Sequence, residues 1–439
     1  MAQDGTGRLE RLSPRIERFL SYHDERAFMR ILFLTSQVPY PPHGGGALRV
    51  YGLLHGLHGA GHQLDLLTFS EPSAPTPEQT PLGAFCQCIR SVPYTPRSAR
   101  QRLHDLLFTR HADLARRFES VEYAAALRDQ LRAARYDVIH MQSLEMAAYL
   151  PLLRAAAPQA RLIYDAYNAE YDLQRSIFAV DRRQVARLPQ ALYSFIQWRR
   201  LVRFERAVCR DSDAVIAVSE ADAAALRKLT PEKEIAVVPN GIFTADYAQP
   251  TQCLNLGDSA LLFTGTMNYR PNVDAVLWFV EHVLDRVRQA VPSARLFIVG
   301  NKPHPRLDAI RQRPDVEITG FVQDVTPFLH SAAIYIAPLR MGSGTRLKLL
   351  QAMAVGCAIV STSVGAQGIA LQNGREAIIA DDALSFAQAI IGLLNDSERR
   401  AALGAAARQL VQAHYDWSVI LPCLLKLYER LGLERTPVS

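Results

Sequence analysis

The sequence predicts an α/β fold made of two successive Rossmann-like units facing each other across a cleft. Three observations predict it. Short apolar, β-branched runs alternate with longer helical stretches. That rhythm runs through the first half of the chain and starts afresh after residue 258. The chain has 439 residues, well above the roughly 100–200 of a single domain.

In the first series, RILFLT (30–35), QLDLLTF (63–69), DVIHMQ (137–142), RLIYDA (161–166), AVIAVS (214–219) and IAVVPN (235–240) read as strands. They lack polar alternation because helices cover both faces of a parallel sheet. Helices fall between them, one from near Leu48, others in the arginine-rich stretch 97–135, and a long one over 190–210. In the second series, LLFTGT (261–266), RLFIVG (295–300), VEITG (316–320), IYIAPL (334–339), AIVST (358–362) and AIIAD (377–381) repeat the pattern. Repeated strand–helix–strand units imply parallel, doubly wound sheets. The expected division is an extension over 1–28, a first unit over 29–245 and a second over 255–410.

Composition narrows the function classes. Hydrophobic residues make up 49% and charged residues 21%, as in an ordinary globular protein. The net charge of +6 comes without zinc-finger spacing, an RNA-binding aromatic motif or a long basic block, so nucleic acid is not an expected partner. Six scattered cysteines give no disulfide or zinc framework, and Cys86 and Cys88 are too close for a redox pair. No run of 18 apolar residues exists, and the N-terminus has no apolar signal core. A cytoplasmic protein is expected. The arginines of 97–135 and 182–210 suit either a solvated basic surface or peripheral contact with the inner face of an anionic membrane.

Candidate chemistry gathers at strand ends, where open α/β sheets bind ligands. Gly44, Gly45 and Gly46 stand between the first strand and its helix. They either bring backbone N–H groups to an anion or form a plain flexible loop. After IYIAPL, Ser343 and Gly344 make a tight loop, Thr345 caps or opens the next helix, and Arg346 and Lys348 add two cations. Helix dipole, backbone donors and fixed charge together suit a diphosphate. Gly265, Thr266 and Arg270 follow the first strand of the second unit; there Asn272 and Asp274 read as helix caps, and Trp278 and Phe279 as core. On the first unit, His140, Gln142, Tyr167, Asn168 and Glu170 follow strand ends and are the acceptor-side candidates, although His140 also reads as a packed histidine.

The segments PPHGGGALR, DVIHMQS, DAYNAEY, AVIAVSEAD, VVPNGI, FTGTMNYRPNVDA, GFVQDV and APLRMGSGTRLKLLQAMAVGCAIVSTSVGAQGI resemble, in order, bacterial glycosyltransferase family 4. The resemblance covers about nine tenths of the chain and is closest to a branch tied to exopolysaccharide or cell-surface glycan assembly. It implies the GT-B fold and a retaining, metal-independent hexosyl transfer from a nucleotide-diphosphate sugar, with no other cofactor. It implies a lipid-linked, saccharide or small-molecule acceptor. The base would meet the backbone at Phe321–Val322, and the diphosphate would meet Gly344, Thr345, Arg346 and Lys348. The C-terminal helix, within 411–435 and after Asp416-Trp417, would return to the first unit.

Three departures from the family pattern stand out. Gly344 and Gln351 occupy positions where relatives carry two glutamates, so only Gln351 keeps a side chain able to bond a ribose. Thr266 and Pro271 stand where an arginine and a lysine are common, and Gln142 replaces a frequent histidine. A nucleotide-sugar epimerase and an inactive nucleotide-sugar-binding scaffold are the competing expectations.

Overall fold

The computed structural model describes residues 28–42, 44–71, 76–182, 187–249, 252, 254–342 and 345–433. The first half forms a seven-stranded sheet in the order β3-β2-β1-β4-β5-β6-β7. Its strands are β1 (Arg30–Thr35), β2 (Gln63–Ser70), β3 (Cys86–Pro93), β4 (Val138–Gln142), β5 (Arg161–Ala166), β6 (Ala214–Ala217) and β7 (Ile235–Val237). The second half forms a six-stranded sheet in the order β10-β9-β8-β11-β12-β13. These strands are β8 (Ala260–Thr264), β9 (Arg295–Val299), β10 (Val316–Gly320), β11 (Ile334–Ala337), β12 (Ala358–Ser361) and β13 (Ile378–Ile379). Every pairing is parallel. Apolar clusters fill both faces of each sheet, and the central strands are almost wholly buried.

One strand is not among those predicted. β3 is the sheet edge, with a half-exposed pattern, so CQCIRSVP lacks the continuous apolar run of its neighbours. Within 97–135 the helical pattern resolves into Ala99–Phe108, Asp113–Arg117 and Val121–Ala133, and the long helix is Leu188–Asp211. Residues 1–27 of the expected extension lie outside the described residues.

The chain crosses between the halves twice, side by side. Ile242 N donates to Tyr415 O, and Trp417 N donates to Ile242 O. Asp416 ties the crossings together: it accepts from Thr244 N and Oγ1, and it caps the Trp417–Arg430 helix through Ser418 N. That helix packs on the first half, where Trp417, Leu421 and Leu424 join Val50, Leu54 and Leu57 in one core. Gly52 makes this possible, because a Cβ there would lie 2.0 Å from the Trp417 ring.

Candidate active site

In both sheets the strand order reverses direction of travel beside the first strand: between β1 and β4, and between β8 and β11. Such switch points leave a crevice at the carboxyl ends of the strands. The two crevices face each other and enclose a cleft of about 390 Å³, within the range of small-molecule sites. A side chamber of about 180 Å³, lined by Tyr247, Asp324 and Trp417, shares Leu48, Val325 and Gln351 with it. Three cations, Arg49, Arg346 and Lys348, line the main cleft, and no carboxylate does among the described residues.

The second half supplies the charged wall. The Leu347–Val355 helix starts at Leu347, with Arg346 at its cap position and no side-chain cap bond. Local turns use part of its first-turn backbone: Leu347 N donates to Thr345 O at 3.1 Å and Leu349 N to Arg346 O at 2.8 Å. Lys348 is half-buried; its Nζ lies 2.6 Å from Asn272 Oδ1 and 4.4 Å from the centre of the Phe263 ring. Burial, and then the charge of Arg346, push this ammonium down to about 7. Burial likewise lowers Arg346, opposed by Tyr269 and Asp222. Gly265 permits the approach: at φ 149° its absent Cβ would sit 2.7 Å from Asn272 Nδ2 and 3.0 Å from Lys348 Nζ. Asn272 Nδ2 donates to Thr266 O, so this amide joins the loop after β8 to the helix after β11.

The first half supplies the opposite wall. The Gly45–Gly59 helix begins earlier than its apolar pattern suggests, so Gly45 and Gly46 sit in its first turn. Gly45 faces Leu347 of the other half, and Gly46 lies against Tyr167. Arg49, one turn on, is fully buried and pairs with Asp165 at 2.7 Å. Its remaining donors reach Val238 O, Pro239 O and Asn240 Oδ1. One guanidinium thus joins the helix after β1 to the ends of β5 and β7, and these contacts fix the cleft floor.

Residues 44–241 match the glycosyl transferase 4-like domain, and residues 258–396 match glycosyl transferases group 1. The chain belongs to the GT-B glycosyltransferases of the family 4 type. An uncharacterised 44.6 kDa protein in the cps region of Klebsiella pneumoniae is 21% identical over 90% of this chain and 99% of its own length. A phosphatidyl-myo-inositol mannosyltransferase of Mycolicibacterium smegmatis is 29% identical, over 44% of this chain and 52% of that protein, so this match spans about half the relative. Among solved structures, sucrose-phosphate synthase from Thermosynechococcus elongatus superposes with TM-score 0.70 at 19% identity, over 92% of this chain and 99% of that one. Anabaena HepE in complex with UDP gives 0.61 at 15% identity, over 92% and 100%.

The glycosyltransferase brings most of the expected residues to the cleft and withholds others. Gly45, Gly46, Gly265, Thr266, Val322, Thr345, Arg346, Lys348, Gln351, Tyr167 and Asn168 line it. Ser343 and Gly344 lie outside the described residues. Thr345 does not cap the helix that follows; its hydroxyl donates to Val218 O of the first half at 3.3 Å. Arg270 is not at the donor wall. Its guanidinium crosses to the first half and grips buried Asp181 at 2.6 and 3.2 Å. His140 does not face the cleft either: its ring stacks on Phe33 and its Nε2 lies 2.6 Å from Tyr428 Oη. Burial, with Arg49 nearby, lowers that imidazole to about 3, so it stays neutral.

Gln142 stands behind the wall, where it accepts from Tyr167 Oη at 3.2 Å. Glu170 is also set back, bonded by Asn168 Nδ2; burial, then Glu145 and Glu205, push its carboxyl up to about 8. Asn272 is a lysine partner rather than a cap, and Asp274 pairs with Arg340. Trp278 and Phe279 are core. Sequence reasoning missed Arg49 and Tyr247. Arg49 follows GGGAL directly, and its buried helical position is the one available signal. Tyr247 accepts from Gln351 Nε2 at 2.8 Å from 104 residues away, and nothing local marks it.

Proposed function

We propose that this glycosyltransferase is a retaining enzyme that takes a hexose from a nucleotide-diphosphate sugar. One observation carries the reading: the cleft between the two switch points is lined by half-buried Arg346 and Lys348 and by two helix starts, with no carboxylate among its described residues. That arrangement suits a pyrophosphate. UDP is the ligand named for Anabaena HepE, and UDP with glucose for a second structure of it.

As the bond from the anomeric carbon to the phosphate oxygen breaks, its electron pair stays on the diphosphate. Lys348, Arg346 and the N–H groups at the start of the Gly45–Gly59 helix stabilise that charge where it develops. These side-chain cations take the part a divalent ion plays in other transferases. The acceptor oxygen bonds to the anomeric carbon on the face the leaving group vacates, and its proton passes to the departing phosphate oxygen. The acceptor enters along the Tyr167–Asn168 wall of the first half. Gln351, held by Tyr247, offers its amide oxygen to a ribose hydroxyl beside the side chamber.

The Klebsiella relative from a cps region and the mannosyltransferases named for phosphatidyl-myo-inositol support a surface glycan or lipid-linked acceptor in a protein at the cytoplasmic side of a membrane. The arginine-rich helices of the first half suit peripheral contact there.

A thermal-shift screen of nucleoside diphosphates tests the donor reading. A bound nucleotide at 100 times its Kd stabilises by about 2.7 kcal/mol, several degrees in Tm. The Arg346→Ala and Lys348→Ala double variant should lose at least about 100-fold in kcat, and EDTA should leave the parent's turnover unchanged. A shift with no nucleotide, or unchanged turnover in the double variant, overturns the assignment. Nucleotide binding without transfer to any acceptor favours the scaffold reading.

A further inference from the structure

β4 carries two polar side chains in a strand buried at every position. Ile139 and Met141 enter the apolar core on one face of the first sheet, and Val138 enters the core on the other. Strand alternation puts His140 and Gln142 on the face of Val138. Burying an imidazole or an amide costs free energy unless its donors and acceptors are matched. Here each group is matched by the next, in one line. Tyr167 Oη donates to Gln142 Oε1 at 3.2 Å. Gln142 Nε2 faces His140 Nδ1 at 3.4 Å, the longest link. His140 Nε2 lies 2.6 Å from Tyr428 Oη, and stacking on Phe33 fixes the plane of its ring.

The line has a direction. Tyr167 occupies the Gln142 oxygen, so the amide nitrogen is the atom turned to His140, and that nitrogen only donates. His140 Nδ1 must therefore accept. The neutral ring then carries its proton on Nε2 and donates it to Tyr428 Oη.

The two ends belong to different parts of the molecule. Tyr428 sits on the Trp417–Arg430 helix that returns from the second half, 1% exposed in the core which that helix shares with the first sheet. Packing alone asks for no hydroxyl there, because a phenylalanine ring has the same outline. Tyr167 lines the cleft. Its ring lies on Gly46, in the first turn of the Gly45–Gly59 helix, where a Cβ would come within 3.0 Å of Tyr167 Cε2.

We propose that Tyr428, His140 and Gln142 are positioning residues: their hydrogen-bonded line holds the Tyr167 ring against the start of the Gly45–Gly59 helix, so the C-terminal helix sets one wall of the donor site. The hydroxyl proton of Tyr167 is committed to Gln142. A substrate group that meets this oxygen from the cleft therefore has to be a donor, such as a hydroxyl. The effect on nucleotide affinity rests on the donor reading above; the line itself does not.

Histidine spectra and nucleotide affinity test the two parts separately. In nucleotide-free protein labelled at the histidine nitrogens, the NMR signals of His140 are assigned by their loss in His140→Gln. They should show the Nε2–H tautomer. Tyr167→Phe should shift the Nδ1 signal, although Tyr167 reaches His140 only through Gln142. Tyr136→Phe, which removes a buried hydroxyl bonded to Asp65, should leave it in place. Calorimetry with UDP reads the wall. Tyr167→Phe and Tyr428→Phe should each raise Kd about fivefold, the effect of one hydrogen bond, and the double variant should also stay near fivefold instead of the roughly 25-fold of independent sites. An Nδ1–H tautomer, a His140 signal indifferent to Tyr167→Phe, or a full product in the double variant overturns the proposal. A parent that binds no UDP overturns the donor reading, and the His140 spectra then decide the line by themselves. Should Tyr428→Phe misfold, His140→Phe breaks the same line at its middle and takes its place in the cycle.

Discussion

Lys348 makes the donor reading testable by protons alone. Without ligand, burial and Arg346 hold its ammonium down to about 7, so at pH 8 about nine tenths of it is neutral. A diphosphate about 4 Å away supplies opposite charge worth about 4 kcal/mol per pair at an effective dielectric of 20, close to three pKa units. Binding should therefore return Lys348 to near its ordinary range and take up about 0.9 proton at pH 8. The sign follows: affinity is fully present below pH 7 and falls up to about tenfold per pH unit above it, until the bound-state pKa is passed. Stability of the unliganded protein runs the other way. The unfolded chain, with lysine near 10.5, binds more protons between pH 7 and 10.5 than the folded one, so this residue's contribution rises with pH there. Calorimetry with UDP at pH 8, in two buffers of different ionisation enthalpy, reads the uptake directly. The nucleotide's terminal phosphate, with a second pKa of about 6, is already ionised. A binding enthalpy identical in both buffers, or a Kd flat from pH 7 to 9, refutes the reasoning. Lys348→Met should abolish the uptake.

Three further outcomes follow from the geometry. Arg49→Met leaves Asp165 buried and charged without its partner, so denaturant unfolding should show a loss of about 3–5 kcal/mol; an unchanged midpoint counts against the buried latch. Gly52→Ala drives a methyl into the Trp417 ring at 2.0 Å, whereas Gly392→Ala meets nothing within 4 Å. The first should cost about 1–3 kcal/mol or more and speed amide exchange over 417–430, and the second should be neutral or mildly stabilising in its exposed helix; equal effects would refute the packing argument. Tyr247→Phe removes the acceptor that holds Gln351 Nε2. It should raise the nucleotide Kd about fivefold, about 1 kcal/mol, while sparing kcat, and a loss confined to kcat would contradict that role.

Much of this molecule is legible in one dimension because burial periodicity is local. The interior parallel strands announce themselves as unbroken apolar runs, since helices cover both of their faces. The glycines at 45, 46 and 265 and the cations at 346 and 348 stand directly after strands, where parallel topology has to place a crevice. The edge strand β3 escaped because half of it faces water. What a long side chain does once there was decided by tertiary contacts alone. Arg270 turns to Asp181, 89 residues away; Lys348 to Asn272, 76 away; His140 to Tyr428, 288 away. Hydrophobic pattern records how much water a position loses, not which polar group replaces that water. A buried charge must find a partner, and only the packing of the two sheets and the returning C-terminal helix determines which one is within reach.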